Sequence, residues 1–305
     1  MKIIFFGTPE IASCILTNIY QKMNIIAVVT QPDKPRGRSQ KLSFSPVKMK
    51  AKELLPHLPV FQPAKASDPA FIQAIRELKP DLFVVVGYGQ ILKKDLLDIP
   101  KSLPINIHTS LLPEYRGAAP MQRALMDGVK KTGVTIMEMD VGMDTGDILA
   151  QREIAVPNSM TLQELEEKMI QAGSDELLRV VEGKGFKGKA QNHPKATYAK
   201  KLDPKEFEIS WEFPASVIHN HVRSISPKPG AWCSIKVGGE PKRLKILRSN
   251  VVEMKGAPSE ILVQDKRLII GSAKDALEIL ELQLEGKGKS DAKSFLNGFR
   301  GKFIF

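Results

Sequence analysis

The sequence predicts an α/β chain: a doubly wound, mainly parallel sheet comes first, followed by a second, smaller C-terminal domain in the form of a β-barrel. Three observations carry that reading. Apolar runs of strand length alternate with helix-period stretches through the first half, the pattern of parallel strands joined by crossover helices. A Gly-, Lys- and Pro-rich stretch with little apolar pattern, "GKGFKGKAQNHPKATYAKKLDP", occupies residues 183–204. Beyond residue 207 the pattern changes to short apolar runs separated by turns. The expected division is a catalytic-type domain over 1–185, a basic linker over 186–206 and an all-β domain over 207–305.

Each element has its own signal. "KIIFFG" reads as the first strand, and "PEIASCILTNIYQK" as its helix, with Pro9 near the start and Ile11, Ile15 and Ile19 on one face. "IIAVVTQ" (25–31) is a second strand. "DPAFIQAIRELKP" opens on Asp68 as a cap and stops before Pro80, and the continuous apolar run "DLFVVVGY" (81–88) reads as a buried strand. "LPINIH", the helix "APMQRALMDG" and the strand "TGVTIMEMD" follow. Thr161 and Glu164 form a capping-box pattern at the head of a helix carrying Leu162, Leu165, Met169, Leu177 and Val181 at helical spacing. The last part supplies "GAWCSIKVGG", "RLKILRSNVV", "RLIIGS" and "ALEILELQLE" as strands. Open sheets of this kind place their sites just beyond the carboxyl ends of the strands.

Composition narrows the functional classes. Of 305 residues, 42% are hydrophobic and 26% charged, which is ordinary globular composition. No apolar run reaches membrane-spanning length and the N-terminus lacks a signal-peptide core, so a cytoplasmic chain with no membrane partner is expected. A monomer is also expected. Cys14 and Cys233 stand far apart with no ligand spacing, which argues against a zinc site or a disulfide framework. The net charge of +11 favours a polyanionic partner by long-range attraction. "FFGTPE" and "GYGQIL" are not GxGxxG, and no Walker, GxSxG or HExxH pattern occurs, so nicotinamide and phosphoryl chemistry lose ground.

Three stretches could carry chemistry. Asn106 and His108 lie two apart at the end of "INIH", so on an extended run they share a face while Ile105 and Ile107 take the other. An amide can donate to an oxygen that gains negative charge, and an imidazole can move a proton near neutral pH. Spacing alone leaves open the alternative that Asn106 caps a turn and His108 is a structural histidine. "MDVGMDTGDI" (139–148) holds three aspartates in a Gly-rich bend that can return a carboxylate to the preceding strand's end. The same bend reads equally as an Asx turn whose carboxylates satisfy backbone amides. "TQPDKPRGRSQKLSFSPVKMKAKEL" (30–54) is a long basic loop at the strand-end face, suited either to gripping a phosphate backbone or to being a solvated excursion.

The motifs "FFGTPEIA", "TQPDKPRGR", "SPVK", "VVVGYGQIL", "INIHTSLLPEYRGAAPMQRAL" and "DVGMDTGDIL", in this order, resemble the landmarks of the methionyl-tRNA formyltransferases. "SISPKPGAW" and "FLNGFRGK" resemble the C-terminal domain of that family, so the likeness spans almost the whole chain. It implies transfer of a formyl group from 10-formyltetrahydrofolate, without a metal, to the amine of methionyl initiator tRNA. It also implies that Asn106, His108 and Asp144 are the catalytic trio, that Ser110, Leu111, Leu112 and Pro113 line the folate site, and that Arg38, with Lys41 and Arg36 in the same loop, engages the tRNA. The C-terminal domain would be an OB-like barrel supporting the tRNA. Two departures stand out: "KEFEISW" lacks the family's Gly before the Trp, and Glu114 in "PEYRG" replaces a more basic variant. A folate-dependent formyltransferase acting on a small amine, such as a glycinamide ribonucleotide or an amino-sugar nucleotide, is the alternative; it would share the trio without needing the basic loop.

Overall fold

The structure is a computed structural model and describes residues 1–36, 41–183, 187–237 and 239–298. The chain forms two compact units. One comprises Met1–Gly117, Gly133–Ile154 and Glu167–Tyr198, and the other Ala118–Thr132, Ala155–Glu166 and Ala199–Phe305.

The first unit is built on a seven-stranded sheet. Its strands are β1 (Ile3–Gly7), β2 (Ile25–Val29), β3 (Val60–Phe61), β4 (Leu82–Val86), β5 (Pro104–His108), β6 (Lys131–Glu138) and β7 (Ile148–Ala155), in the spatial order β7-β6-β5-β4-β1-β2-β3. The pairs β3–β2, β2–β1, β1–β4 and β4–β5 are parallel, and β5–β6 is antiparallel. The sheet is therefore mainly parallel, as its run of fully buried strands predicts; β1 and β4 are buried at every residue. Sequence reasoning placed β6 without its direction and missed β7, whose Gln151, Arg152 and Glu153 mask the strand pattern.

Helices α1 (Glu10–Ile19), α2 (Pro46–Leu54), α3 (Pro69–Glu77) and α4 (Lys94–Leu97) connect these strands, with α5 (Pro120–Met126) between β5 and β6 and α6 (Leu162–Glu182) after β7 in the chain. Ile11, Ile15 and Ile19 of α1 are buried together, so the predicted face is the packed one. Each such isoleucine contributes on the order of 2 kcal/mol by leaving water. Asp68 caps α3, accepting from Ala70 N at 2.9 Å. On the other side of the sheet from α1's isoleucines, Phe6, Phe83, Phe71 and Tyr88 join Ile4, Val29 and Val85 in one cluster. A Cβ on Gly7 would stand 2.8 Å from Ala12 Cβ, so the glycine of "FFGTPE" serves close strand–helix packing.

The region 30–54 is not one long loop. Ser45 accepts from Lys48 N at 3.0 Å and, with Pro46 in the first turn, starts α2; its hydroxyl lies 2.7 Å from Thr30 Oγ1 in the interior. Lys34–Arg36 and Lys41–Ser43 pair antiparallel ahead of it. Lysines at alternate positions hide the helical period of α2.

The second unit contains an antiparallel sheet of β8 (Ala231–Val237), β9 (Glu240–Val252), β10 (Ile261–Gln264), β11 (Arg267–Gly271), β12 (Ala276–Leu284) and β13 (Lys289–Asp291). The order is β8-β9-β12-β11-β10, with β13 on β12, and among the described residues no pairing closes it into the expected barrel. The register of β9 slips around Arg248, a bulge that bends the long strand. Two helices fall in the stretch expected to be all β. α7 (Ala215–Ser224) puts Ala215, Ile218 and Val222 into the sheet's core with Trp211, Leu244 and Leu277, and α8 spans Ala292–Gly298. The polar HNH step inside α7 and its short length conceal the spacing.

The same unit includes α5 (Pro120–Met126), whose Arg123 grips Glu206 bidentately at 2.6 and 2.9 Å. The Arg123 guanidinium, helped by the Asp203 amide, holds the Glu206 carboxyl below its usual range. A depressed carboxyl contributes stability that is present above its unfolded value near 4.3 and is lost as pH falls through the lower folded value. Arg123→Ala is therefore expected to lower stability by on the order of 1 kcal/mol at pH 7, the pair being partly solvent-screened. Urea midpoints of the two proteins should converge as pH drops below about 4; a gap that persists there contradicts the ion-pair account.

Candidate active site

The site is assembled at the end of β5. Asn106 pairs with Val85 of β4 and Met137 of β6, and His108 pairs with Thr135, so a central strand holds both residues rigidly. Ile105 and Ile107 are buried, which turns the Asn106 and His108 side chains to the common opposite face. His108 is itself buried, whereas Asn106 is half-buried and its amide makes no hydrogen bond among the described residues. An unengaged amide donor beside a buried imidazole is the arrangement suited to receiving a substrate oxygen.

The imidazole is held by two groups. Its Nε2 lies 3.0 Å from the Tyr115 carbonyl oxygen, and its Nδ1 lies 3.6 Å from Asp144 Oδ1. A carbonyl can only accept, so Nε2 carries the hydrogen and Nδ1 is the nitrogen left to take or give a proton. That nitrogen faces the Asp144 carboxylate. Tyr115 has a left-handed φ of 57°, a conformation uncommon for a bulky side chain, and it aims the carbonyl.

The Gly-rich bend divides its aspartates by role. Asp140 makes the Asx turn, accepting from Gly142 N at 2.9 Å and from the Thr145 hydroxyl at 2.6 Å. Asp144 instead adopts φ 54°, points Oδ1 at His108, and accepts from Gly117 N through Oδ2 at 2.8 Å. The bend closes on itself because Gly146 has no side chain: a Cβ there would stand 1.9 Å from the Glu138 carbonyl oxygen. Both aspartates thus satisfy a backbone amide, and Asp144 differs in presenting its second oxygen to His108.

Residues Ser110 to Pro113 are pinned from below. The Thr135 hydroxyl donates to Ser110 O at 2.7 Å and accepts from Leu112 N at 3.1 Å, and Gln151 Nε2 donates to Leu112 O at 2.9 Å. The Ser110 hydroxyl donates to Glu114 O at 2.6 Å. Ser110 and Leu112 are therefore buried, with Leu111 and Pro113 half-buried. Of the tRNA-contact candidates, Arg38 lies outside the described residues, and Arg36 and Lys41 pair through their backbones in the short hairpin.

Sequence reasoning missed several residues that shape this site. Gln191 donates to the carbonyls of Asp144 and Gly146, and Arg116, 2% exposed, donates to Gln191. Gln191 sits in the stretch read as a linker, where nothing in spacing marks it. Thr135 and Gln151 were likewise invisible, being ordinary strand residues until the register brings them under the Ser110–Pro113 segment.

Comparison with known proteins gives the family of the chain. Residues 1–181 match the family model for formyl transferase, and residues 201–300 the model for the formyl transferase C-terminal domain. The chain is 41% identical over 310 residues to a methionyl-tRNA formyltransferase of Chlamydia abortus, covering 99% of this chain and 96% of that one. Among solved structures, HypX from Aquifex aeolicus in complex with tetrahydrofolic acid superposes with a TM-score of 0.66 at 18% identity; the match covers 99% of this chain and 48% of HypX. A methionyl-tRNA formyltransferase from Clostridium thermocellum superposes with a TM-score of 0.58 at 19% identity, over 84% of this chain and 95% of that one. These two likenesses establish the shared fold. No helix among the described residues is long and apolar enough to cross a membrane. From the match of both domain models and the full-length relative, this chain belongs to the formyl transferase family, in the branch of the methionyl-tRNA formyltransferases.

Proposed function

We propose that the protein transfers the formyl group of 10-formyltetrahydrofolate to the α-amino group of methionine carried on initiator tRNA. The observation that carries this reading is the Asn106, His108 and Asp144 constellation at the end of β5, in a chain 41% identical to a methionyl-tRNA formyltransferase. The donor is of tetrahydrofolate type and supplies an activated formyl carbon. The site's donor set fits that group: a free amide for the formyl oxygen and a proton-accepting nitrogen beside a carboxylate.

In the reaction the amine nitrogen forms a bond to the formyl carbon while the bond from that carbon to the donor nitrogen breaks. Negative charge develops on the formyl oxygen, and the Asn106 amide donates to it; a preorganised donor acts most strongly in such a half-buried, low-dielectric position. The attacking amine must lose a proton and the departing nitrogen must gain one. His108 Nδ1, facing Asp144, moves that proton, and the carboxylate stabilises the imidazolium formed in passing. Ser110 to Pro113 form the wall on the donor side, kept in place by Thr135 and Gln151. Arg38, with Arg36 and Lys41, contacts the tRNA phosphates ahead of α2, and the basic excess of the chain draws the polyanion in.

The test is a formylation assay with Met-charged initiator tRNA beside free amino compounds, run on the wild type and on Arg38→Ala. Wild type is expected to formylate the charged tRNA selectively. Arg38→Ala should raise the KM for tRNA about tenfold, equivalent to roughly 1.4 kcal/mol, and leave donor affinity unchanged. Small amines formylated equally fast, without response to tRNA, would overturn the assignment in favour of the small-amine alternative. Equal loss of donor and tRNA affinity in the variant would place the loop over the donor site instead.

A further inference from the structure

His108 and Asp144 belong to different segments, and three consecutive residues hold both. Tyr115 offers its carbonyl to His108 Nε2 at 3.0 Å, and Gly117 donates its amide to Asp144 Oδ2 at 2.8 Å. Between them, Arg116 donates through Nε at 3.2 Å and through a terminal guanidinium nitrogen at 2.6 Å to Gln191 Oε1. Gln191 then donates Nε2 to the carbonyl oxygens of Asp144 at 3.0 Å and Gly146 at 2.7 Å. We propose that Gln191 and Arg116 are positioning residues for the reaction proposed above, setting the Asp144 carboxylate against His108 by clamping the main chain of the bend.

The physical case has three parts. First, the bend profits from clamping: Asp144 sits at φ 54°, a left-handed conformation that costs most residues with a Cβ about 1–2 kcal/mol and aspartate less, and its main-chain carbonyl needs a donor, which Gln191 supplies. Second, the clamp has one sense. A side-chain amide is the group that accepts from a guanidinium at one end and donates to two carbonyls at the other; a carboxylate in that place would meet those carbonyls with its own lone pairs. Third, the clamp is rigid. Arg116 is 2% and Gln191 5% exposed, and the same guanidinium nitrogen lies 3.0 Å from His193 Nδ1, which must accept because guanidinium only donates. The gap it regulates, 3.6 Å between His108 Nδ1 and Asp144 Oδ1, is one where a shift of about 1 Å costs on the order of 10²-fold in rate.

Kinetics of Gln191→Ala, Asp144→Asn and the double variant test the proposal, with charged tRNA and formyl donor as substrates. Gln191→Ala should lower kcat about 10- to 100-fold with both KM values within roughly threefold of wild type. The double variant should be no more than about threefold slower than Asp144→Asn alone, because the clamp acts only through that carboxylate. Losses that multiply, a wild-type kcat in Gln191→Ala, or an effect confined to KM would each overturn it. If Gln191→Ala does not fold, Arg116→Lys, which gives up the two-nitrogen grip, is measured in its place against the same outcomes. Amide exchange at Gly117 supplies a readout free of substrate: its protection should fall in the variant, and unchanged protection counts against the clamp. A wild type that fails to formylate charged tRNA would sink the functional reading alone, since the exchange measurement still decides the positioning.

Discussion

Asn106→Ala is expected to lower kcat for formyl transfer to charged tRNA about 10²- to 10³-fold, the loss seen when one preorganised donor to a developing oxyanion is removed. The magnitude follows from its setting. Asn106 stands on a central strand between parallel β4 and antiparallel β6, so its amide has no freedom to be replaced by a neighbour. Because that amide makes no hydrogen bond among the described residues, truncating it leaves no buried partner orphaned, and the urea midpoint should stay near wild type. Initial rates at saturating substrate together with a denaturation curve check both halves. A kcat within threefold of wild type would remove Asn106 from the reaction.

The second large effect is expected for Asp144→Asn, a kcat loss of about 10²- to 10⁴-fold, the span of general acid–base contributions. Asparagine tolerates the left-handed backbone of position 144 and offers an oxygen to the Gly117 amide, so the bend keeps its shape while the charge facing His108 Nδ1 is lost. The comparison isolates electrostatics from geometry, which Gln191→Ala alters in the opposite combination. Single-turnover rates separate the chemical step from product release. If Asp144→Asn keeps wild-type single-turnover rates, the carboxylate is a structural acceptor for Gly117 and nothing more.

Much of the first unit was legible because burial on both faces leaves an unambiguous mark. "IIFFG" and "LFVVV" read as strands since every residue in them is apolar, and Asp68 marks a helix start through cap chemistry that is local to a few residues, as Thr161 does in the second unit. The pair Asn106 and His108 was legible as a shared polar face through the two-residue strand period. Elements whose stability comes from partners distant in sequence were not legible. β7 is an edge strand carrying Gln151, Arg152 and Glu153; α2 hides its period under lysines; α7 draws its helicity from packing against Trp211 and Leu277.

The sequence by itself pointed to the family, the mainly parallel sheet and the shared face of Asn106 and His108, because motif chemistry and strand periodicity are properties of neighbouring residues; Asp144 entered only through the family resemblance. Tertiary structure alone decided which of three aspartates faces His108, since Asp140 and Asp144 differ only in what the folded bend gives them to bind. It alone also assigned Arg116 and Gln191, 75 residues apart, to one clamp. The reason is physical: a hydrogen bond is specified by the position of its partner, and for these groups the partner is supplied only when the chain has closed.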